Sequence, residues 1–259
     1  MSQPDPATEK LRPLAPAFYA RPKFATRPGV RDWWTLLHPP YTLWHLSYVV
    51  VGSCLVDPVD AGRLVCTLLA FFLAVGIGAH ALDELHGRPL ATSIPNRMLI
   101  GAAVVGIGGA AVIGALGVSR VGLPLLAFIV IGVMLAVGYN LELFGGRLHT
   151  DVVFAASWGA FPVLTGYYAQ HERLDASAIA AAVFAFFFST AQRRLSTPAR
   201  FLRRKTSDVR GIVVSNDGTV AEIERETLMA PLEGALRALS WAAVVLAASL
   251  VFARLGPFP

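Results

Sequence analysis

Seven stretches of 15 to 20 residues in this 259-residue chain contain no Asp, Glu, Lys or Arg: 41–56, 64–82, 98–117, 121–140, 152–169, 176–190 and 238–253. Runs of that length approach what an α-helix needs to cross about 30 Å of hydrocarbon. Lipid offers no partner to a free backbone amide, so such runs must satisfy their hydrogen bonds within the segment. The fold expected is all-α: a polytopic transmembrane helical bundle of about seven spans. Composition agrees, with 15% charged residues and a mean hydropathy of +0.57, against roughly 25% charged in a soluble domain. The first and sixth windows are short, but aromatic residues can seat span ends at the interface. Trp33, Trp34, Tyr41 and Trp44 flank the first span, and Tyr167 and Tyr168 close the fifth.

The remaining residues divide the chain. Residues 1–34 read as a basic, Pro-rich arm without the apolar core and cleavage site of a signal peptide. Residues 35–190 form the six-span bundle, 191–237 a basic segment, and 238–259 the final span and tail. With the N-terminus inside, segments 1–40, 83–97, 141–151 and 191–237 hold 18 of the 22 Lys and Arg residues. That asymmetry places the N-terminus and these loops on the cytoplasmic side of the cell membrane. The partner expected for the charge is the lipid bilayer, not nucleic acid. Arg193, Arg194, Arg200, Arg203, Arg204 and Lys205 read as a run lying against anionic headgroups. Asn216-Asp217-Gly218 supplies the turn of a small hairpin, and Thr219 to Leu239 reads as an amphipathic helix. Cys54 and Cys66 fit no metal spacing and read as small core residues. The third window is rich in glycine (Gly101, Gly106, Gly108, Gly109, Gly114), which lets helix backbones approach closely in lipid.

Three places break the apolar pattern on the inner side. The second span ends in His80-Ala-Leu-Asp83-Glu84-Leu-His86-Gly-Arg88-Pro89. His80 and Glu84 lie one helical turn apart there, as do Asp83 and His86. Ionisable groups at a membrane edge are expensive and read as functional. The fourth span ends in Tyr139-Asn140-Leu-Glu142, followed by Gly145-Gly146-Arg147-Leu-His149-Thr150-Asp151; its glycine pair permits a tight turn with amides facing an anion. The sixth ends in Ser189-Thr190-Ala-Gln192-Arg193-Arg194, whose guanidinium groups suit a phosphate.

At these residues the chain resembles the UbiA superfamily of intramembrane prenyltransferases. Leu37-His38-Pro39-Pro40-Tyr41-Thr42-Leu43-Trp44 is similar to that family's lead-in to its first helix. The cluster around Asp83 and Glu84 follows the second helix, as the family's first aspartate-rich motif does. Tyr139-Asn140 and the stretch from Asp151 to Tyr168 resemble its tyrosine-bearing fourth and glycine-rich fifth helices. The resemblance spans roughly residues 35–195. It implies an isoprenoid diphosphate donor held through Mg²⁺ and a prenyl group passed to a lipophilic acceptor. Across the polar clusters, Asp83, Glu84, Glu142 and Asp151 are the candidate catalytic residues. Arg88, Tyr139, Asn140, Arg147, Gln192, Arg193 and Arg194 are the candidate substrate-binding residues, and His80, Asp83, Glu84, His86 and His149 the candidate metal ligands. The chain departs from the family where Arg88 replaces an expected carboxylate and Gln192-Arg193-Arg194 stands at the second aspartate-rich motif.

Two other readings stay open. The mixed imidazole and carboxylate set suits Zn²⁺ or Fe²⁺ better than Mg²⁺, which would make the protein a metal-dependent hydrolase or oxidoreductase acting on a lipid. Alternatively, the polar residues lock helix ends in a non-enzymatic lipid-binding or transport helper.

Overall fold

A computed structural model describes residues 27–256; residues 1–26 of the expected arm lie outside the described residues. The elements, in chain order, are α1 (Pro28–Leu37), α2 (Pro39–Cys54), α3 (Ala61–Leu85), α4 (Asn96–Val121), α5 (Leu125–Asn140), α6 (Asp151–His171), α7 (Ala176–Arg204), β1 (Gly211–Val214), β2 (Val220–Ile223) and α8 (Arg225–Leu255). The molecule is mostly helical, and α3, α4, α6, α7 and α8 are long and apolar enough to cross a membrane. Helices α2 and α5 have 16 residues each, about 24 Å of rise.

Helix α2 carries Thr42, His45, Ser47 and Ser53 within its apolar window, and its position accounts for them. It packs against α6 and α8 and touches α3 and α7, so few of its side chains meet lipid. Trp44 is fully buried and Tyr48 nearly so. Its polar atoms are paired inside the bundle. Trp44 Nε1 donates to Tyr48 Oη at 2.7 Å, Tyr48 Oη meets Ser189 Oγ of α7 at 2.9 Å, and His45 Nδ1 lies 2.8 Å from the Trp158 carbonyl of α6. By contrast, α4 presents Val104, Val105, Val112 and Leu116 outward, and α8 presents Trp241, Val245 and Phe252. Exposure of that kind is at home in hydrocarbon and costly in water.

Close crossings rest on glycine. A Cβ on Gly52 of α2 would stand 2.1 Å from the Val163 carbonyl oxygen of α6, and one on Gly106 of α4 would stand 2.6 Å from the Leu73 carbonyl oxygen of α3. The glycine-rich third window thus uses Gly106 for close approach, whereas Gly101 and Gly108 face open space. Two helices also contain wide π turns: Phe72–Ala79 within α3 and Ala156–Ala160 within α6. Such turns recur at functional sites.

The sixth apolar window continues as unbroken helix to Arg204, past Pro198, so residues 191–204 extend a bundle helix instead of forming a separate basic segment. The antiparallel β1–β2 hairpin pairs Val214 with Val220 and Gly211 with Ile223. The expected hairpin over 211–221 is present and extends to Ile223, so the helix begins at Arg225 instead of Thr219, and α8 runs to Leu255 without a break. Cys54 is buried, but Cys66 is exposed on the bundle surface instead of in the core.

The alternating helices give the bundle two polar ends. One, the basic end, gathers the start of α2, the ends of α3, α5 and α7 and the starts of α4, α6 and α8. The other, the clasp end, gathers their opposite termini around Arg63.

Candidate functional site at the basic end

The loop joining α3 to α4 is wound tightly, with φ of +89° at Gly87, +54° at Arg88 and +50° at Ala91. Left-handed backbone at non-glycine residues costs free energy and persists only where surroundings enforce it. Glu84 does much of the enforcing. Its fully buried carboxylate accepts from Leu90 N at 2.9 Å, Thr92 N at 2.8 Å and Thr92 Oγ1 at 2.8 Å. Arg88 lies 4.0 Å from the same carboxylate, donates to the Ile94 carbonyl at 2.7 Å, and also pairs with Asn96. Asp32 of α1 holds the loop from its other side, accepting from Ser93 N at 2.8 Å and from Ser93 Oγ. Glu84 and Arg88 are therefore occupied with loop architecture. Asp32, hidden in a basic stretch, carried no sequence signal for this role.

The loop joining α5 to α6 is strained in the same manner, with positive φ at Glu142, Phe144, Gly145 and Gly146. Glu142 is exposed and stands between the two loops, 3.6 Å from His86 Nε2 and 3.7 Å from His149 Nδ1. The His149 ring stacks on Tyr139 with centroids 4.4 Å apart. Asn140 turns back and donates to the Ala136 carbonyl at 2.7 Å. Arg147 and Arg194 are exposed.

Beneath these loops the interior is lined from four helices. Asp83, one turn from His80 on α3, lies within the electrostatic reach of His80, Arg200, His149 and Arg204. Arg200 in turn feels Arg193, Tyr41, Arg204 and Tyr139. His38 stacks on Tyr41 at 4.4 Å, and its centroid is 6.0 Å from that of His80. Burial, with the charges of His80 and Arg204 adding to it, pushes the His38 imidazole down to about 3, so it is neutral at pH 7. Arg193 donates to Asp151 at 2.7 Å and lies 5.2 Å from the Phe154 ring centroid, and Arg203 pairs with Glu233. Among the described residues, Arg200 and Arg204 have no carboxylate within ion-pair distance. Two buried polar atoms, Tyr139 Oη and Gln192 Oε1, also lack a partner. Such orphans in an interior call for a ligand or water.

The structure thus brings together His80, Asp83, Tyr139, His149 and Arg193, it buries Gln192 next to Arg193 in the chain, and it sets Asp151 beside Arg193. Arg200 and Arg204 complete the set, although their sequence reads as a surface run. A usable signal was present: Ser189, Gln192, Ser196 and Ala199, all buried on α7, repeat at helical spacing, and that face carries the two arginines inward.

The donor set does not fit a protein-held metal. Among the described residues no three His, Cys, Asp or Glu side chains gather as metal ligands. Glu84 already accepts three hydrogen bonds, Asp151 is held by Arg193, and Glu142 spans two histidines that lie apart. Neither an Mg²⁺ cage of hard oxygens nor a Zn²⁺ or Fe²⁺ imidazole site is assembled. What the arrangement can do is receive an anion: guanidinium groups, imidazoles and a phenol lie within electrostatic reach of one another at one end of an apolar bundle, where the Gln192 amide oxygen is also left without a partner. Asp83 beside His80 adds a pair able to take or give a proton.

The chain matches no protein-family model, no curated protein and no solved structure.

Proposed function

We propose that the chain is a seven-span, UbiA-like membrane transferase whose basic end faces the cytoplasm and which moves a prenyl group from an isoprenoid diphosphate to a lipophilic acceptor. One observation carries this reading: Arg200 and Arg204 lie within electrostatic reach of Asp83 at one end of an apolar bundle, where Tyr139 Oη and Gln192 Oε1 are buried without a partner. Helix α2 counts as a span because its neighbours enclose it, α5 because Leu126, Val130, Ile131 and Met134 face outward along an apolar helix, and the Lys and Arg asymmetry supports the sidedness.

In this reading the allylic C–O bond of the donor breaks and its electron pair leaves on the diphosphate. Arg200 and Arg204 meet that charge with fixed donors in a site poor in water. The acceptor supplies the electron pair for the new bond, and its proton passes to Asp83, one turn from His80. Aromatic faces beneath the site, including Tyr139, Phe154 and Trp158, keep water from the allylic centre. Arginine takes the place of the family's metal clamp, so no step is routed through a divalent ion.

The test uses the full chain in lipid nanodiscs with geranylgeranyl diphosphate and excess chelator. Binding and diphosphate release in a lipid extract should persist, and the paired substitutions Arg200→Gln and Arg204→Gln should weaken binding at least tenfold. A diphosphate that does not bind, or binds equally to the double variant, overturns the reading.

A further inference from the structure

At the clasp end α3, α4, α5 and α6 diverge and leave a cavity of about 610 Å³. Its rim carries Asp60, Arg63 and Arg120, and its floor reaches Val75, Ile107, Ala136 and Ser157. Those floor residues lie 11 to 14 positions from the clasp-end termini of their helices, so the cavity runs about 20 Å into the bundle. It is separate from the basic-end site: Trp158, which packs on Tyr139, also lines the cavity and forms the wall between the two.

Three hydroxyl side chains line this apolar space. Thr67 donates to the Arg63 carbonyl at 2.7 Å and Thr165 to the Phe161 carbonyl at 2.8 Å, the usual bond back along a membrane helix. Ser157 makes no such bond. It lies in the π turn of α6, is 2% exposed, and its Oγ has no partner. The charged residues lining the cavity stand at its rim, where Arg63 is engaged with Glu172 at 2.8 Å and with the Arg120 carbonyl at 2.8 Å. A ligand head at the floor therefore meets one hydroxyl and no charge.

We infer that this cavity binds an uncharged, single-chain lipid bearing a hydroxyl or carbonyl group, its polar head against Ser157 and its chain directed toward the clasp end. The slot is deep and apolar, as a chain requires, and a volume of this size is ordinary for a ligand site. The head group satisfies the one polar atom in the lining that the protein leaves unpaired. The inference stands apart from the reading of the basic end, and its failure would leave diphosphate binding untouched.

The full chain in nanodiscs, labelled with a diazirine-bearing long-chain alcohol and mapped by mass spectrometry, tests this. Cross-links should fall within 107–117, 125–136 and 157–165 and be displaced by hexadecanol more effectively than by hexadecane. Ser157→Ala should reduce the advantage of the alcohol by about tenfold while leaving displacement by the alkane unchanged. Ala111→Phe, which fills the cavity without touching Ser157, should abolish labelling, with melting temperature confirming that each variant is folded. Labels spread evenly over lipid-facing helices, or an alcohol preference unchanged in Ser157→Ala, would overturn the inference.

Discussion

The two ends of the bundle are built on opposite principles. At the clasp end almost every polar group is spoken for. Arg63 reaches Glu172, the carbonyls of Arg120, Ala169 and Gln170, and Asp60, and Gln170 exchanges two hydrogen bonds with the Asp60 backbone. Arg254 ties the end of α8 to the Cys54 carbonyl and to Asp57, each at 3.0 Å. At the basic end, among the described residues, Arg200 and Arg204 have no carboxylate within ion-pair distance, and Tyr139 Oη and Gln192 Oε1 are orphaned. Of the six described non-glycine residues with positive φ, His38, Arg88, Ala91, Glu142 and Phe144 lie there, and Glu172 lies at the clasp end. Strain and unsatisfied polarity gather where a protein does chemistry, and the rest of the fold sustains them. On the proposed reading, the contrast marks one end as fastening and the other as working surface.

Substitutions at the two ends should therefore separate stability from binding. The largest effect is expected for Arg63→Ala, which strands several carbonyls and Glu172. Loss of charge-assisted hydrogen bonds of this kind should lower stability by about 3 kcal/mol, read by unfolding in mixed micelles, with diphosphate affinity unchanged. A matching loss of affinity would break the division. Next, Glu84→Ala leaves three donors without their acceptor and should cost about 2 kcal/mol; limited proteolysis should then cut within 86–95. Replacing both Arg200 and Arg204 by Gln should do the reverse of Arg63→Ala, leaving the melting temperature unchanged or raised while anion affinity falls about tenfold, about 1.4 kcal/mol.

The smallest effect concerns acid. Hydrogen bonds from Tyr167 at 2.5 Å and from Ser177 hold the Asp175 carboxyl well below its usual range. A carboxylate with a depressed folded-state value contributes stability at neutral pH, above its ordinary value of about 3.9. That contribution is lost as pH falls below this toward the folded value. Asp175→Asn should flatten the acid limb of the stability curve at the clasp end, and a curve that keeps its slope would remove Asp175 from the fastening.

Much of this contrast was legible in the residues, for physical reasons. Charge-free runs leave the backbone no option but helix, so the windows that became α3, α4, α6 and α8 were plain. The clustering of Lys and Arg gathered the 83–88 loop, the 142–151 loop and the residues after 192 at one end. The fate of Glu84 was not legible, because its partners are backbone amides and one hydroxyl six to eight positions onward, and nothing in residue type announces them. Arg200 and Arg204 read as a surface run because the charge-free window ends at residue 190. Wide turns within α3 and α6 escape periodicity altogether, since a segment apolar on all sides has no face from which to measure a phase.

The wide turn at Phe72–Ala79 makes the orientation of Asp83 a matter of counting. A π turn accommodates one residue more than an α turn, and each α-helical residue turns the chain by about 100°. Removing a single residue between Phe72 and Ala79 would let α3 relax to regular geometry and rotate everything from His80 to His86 by that angle. Asp83 would leave the face it shares with Arg200 and Arg204, and Glu84 would leave its loop. A chain one residue shorter, with the same composition and every apolar run intact, would still assemble in a bilayer and would have no working end.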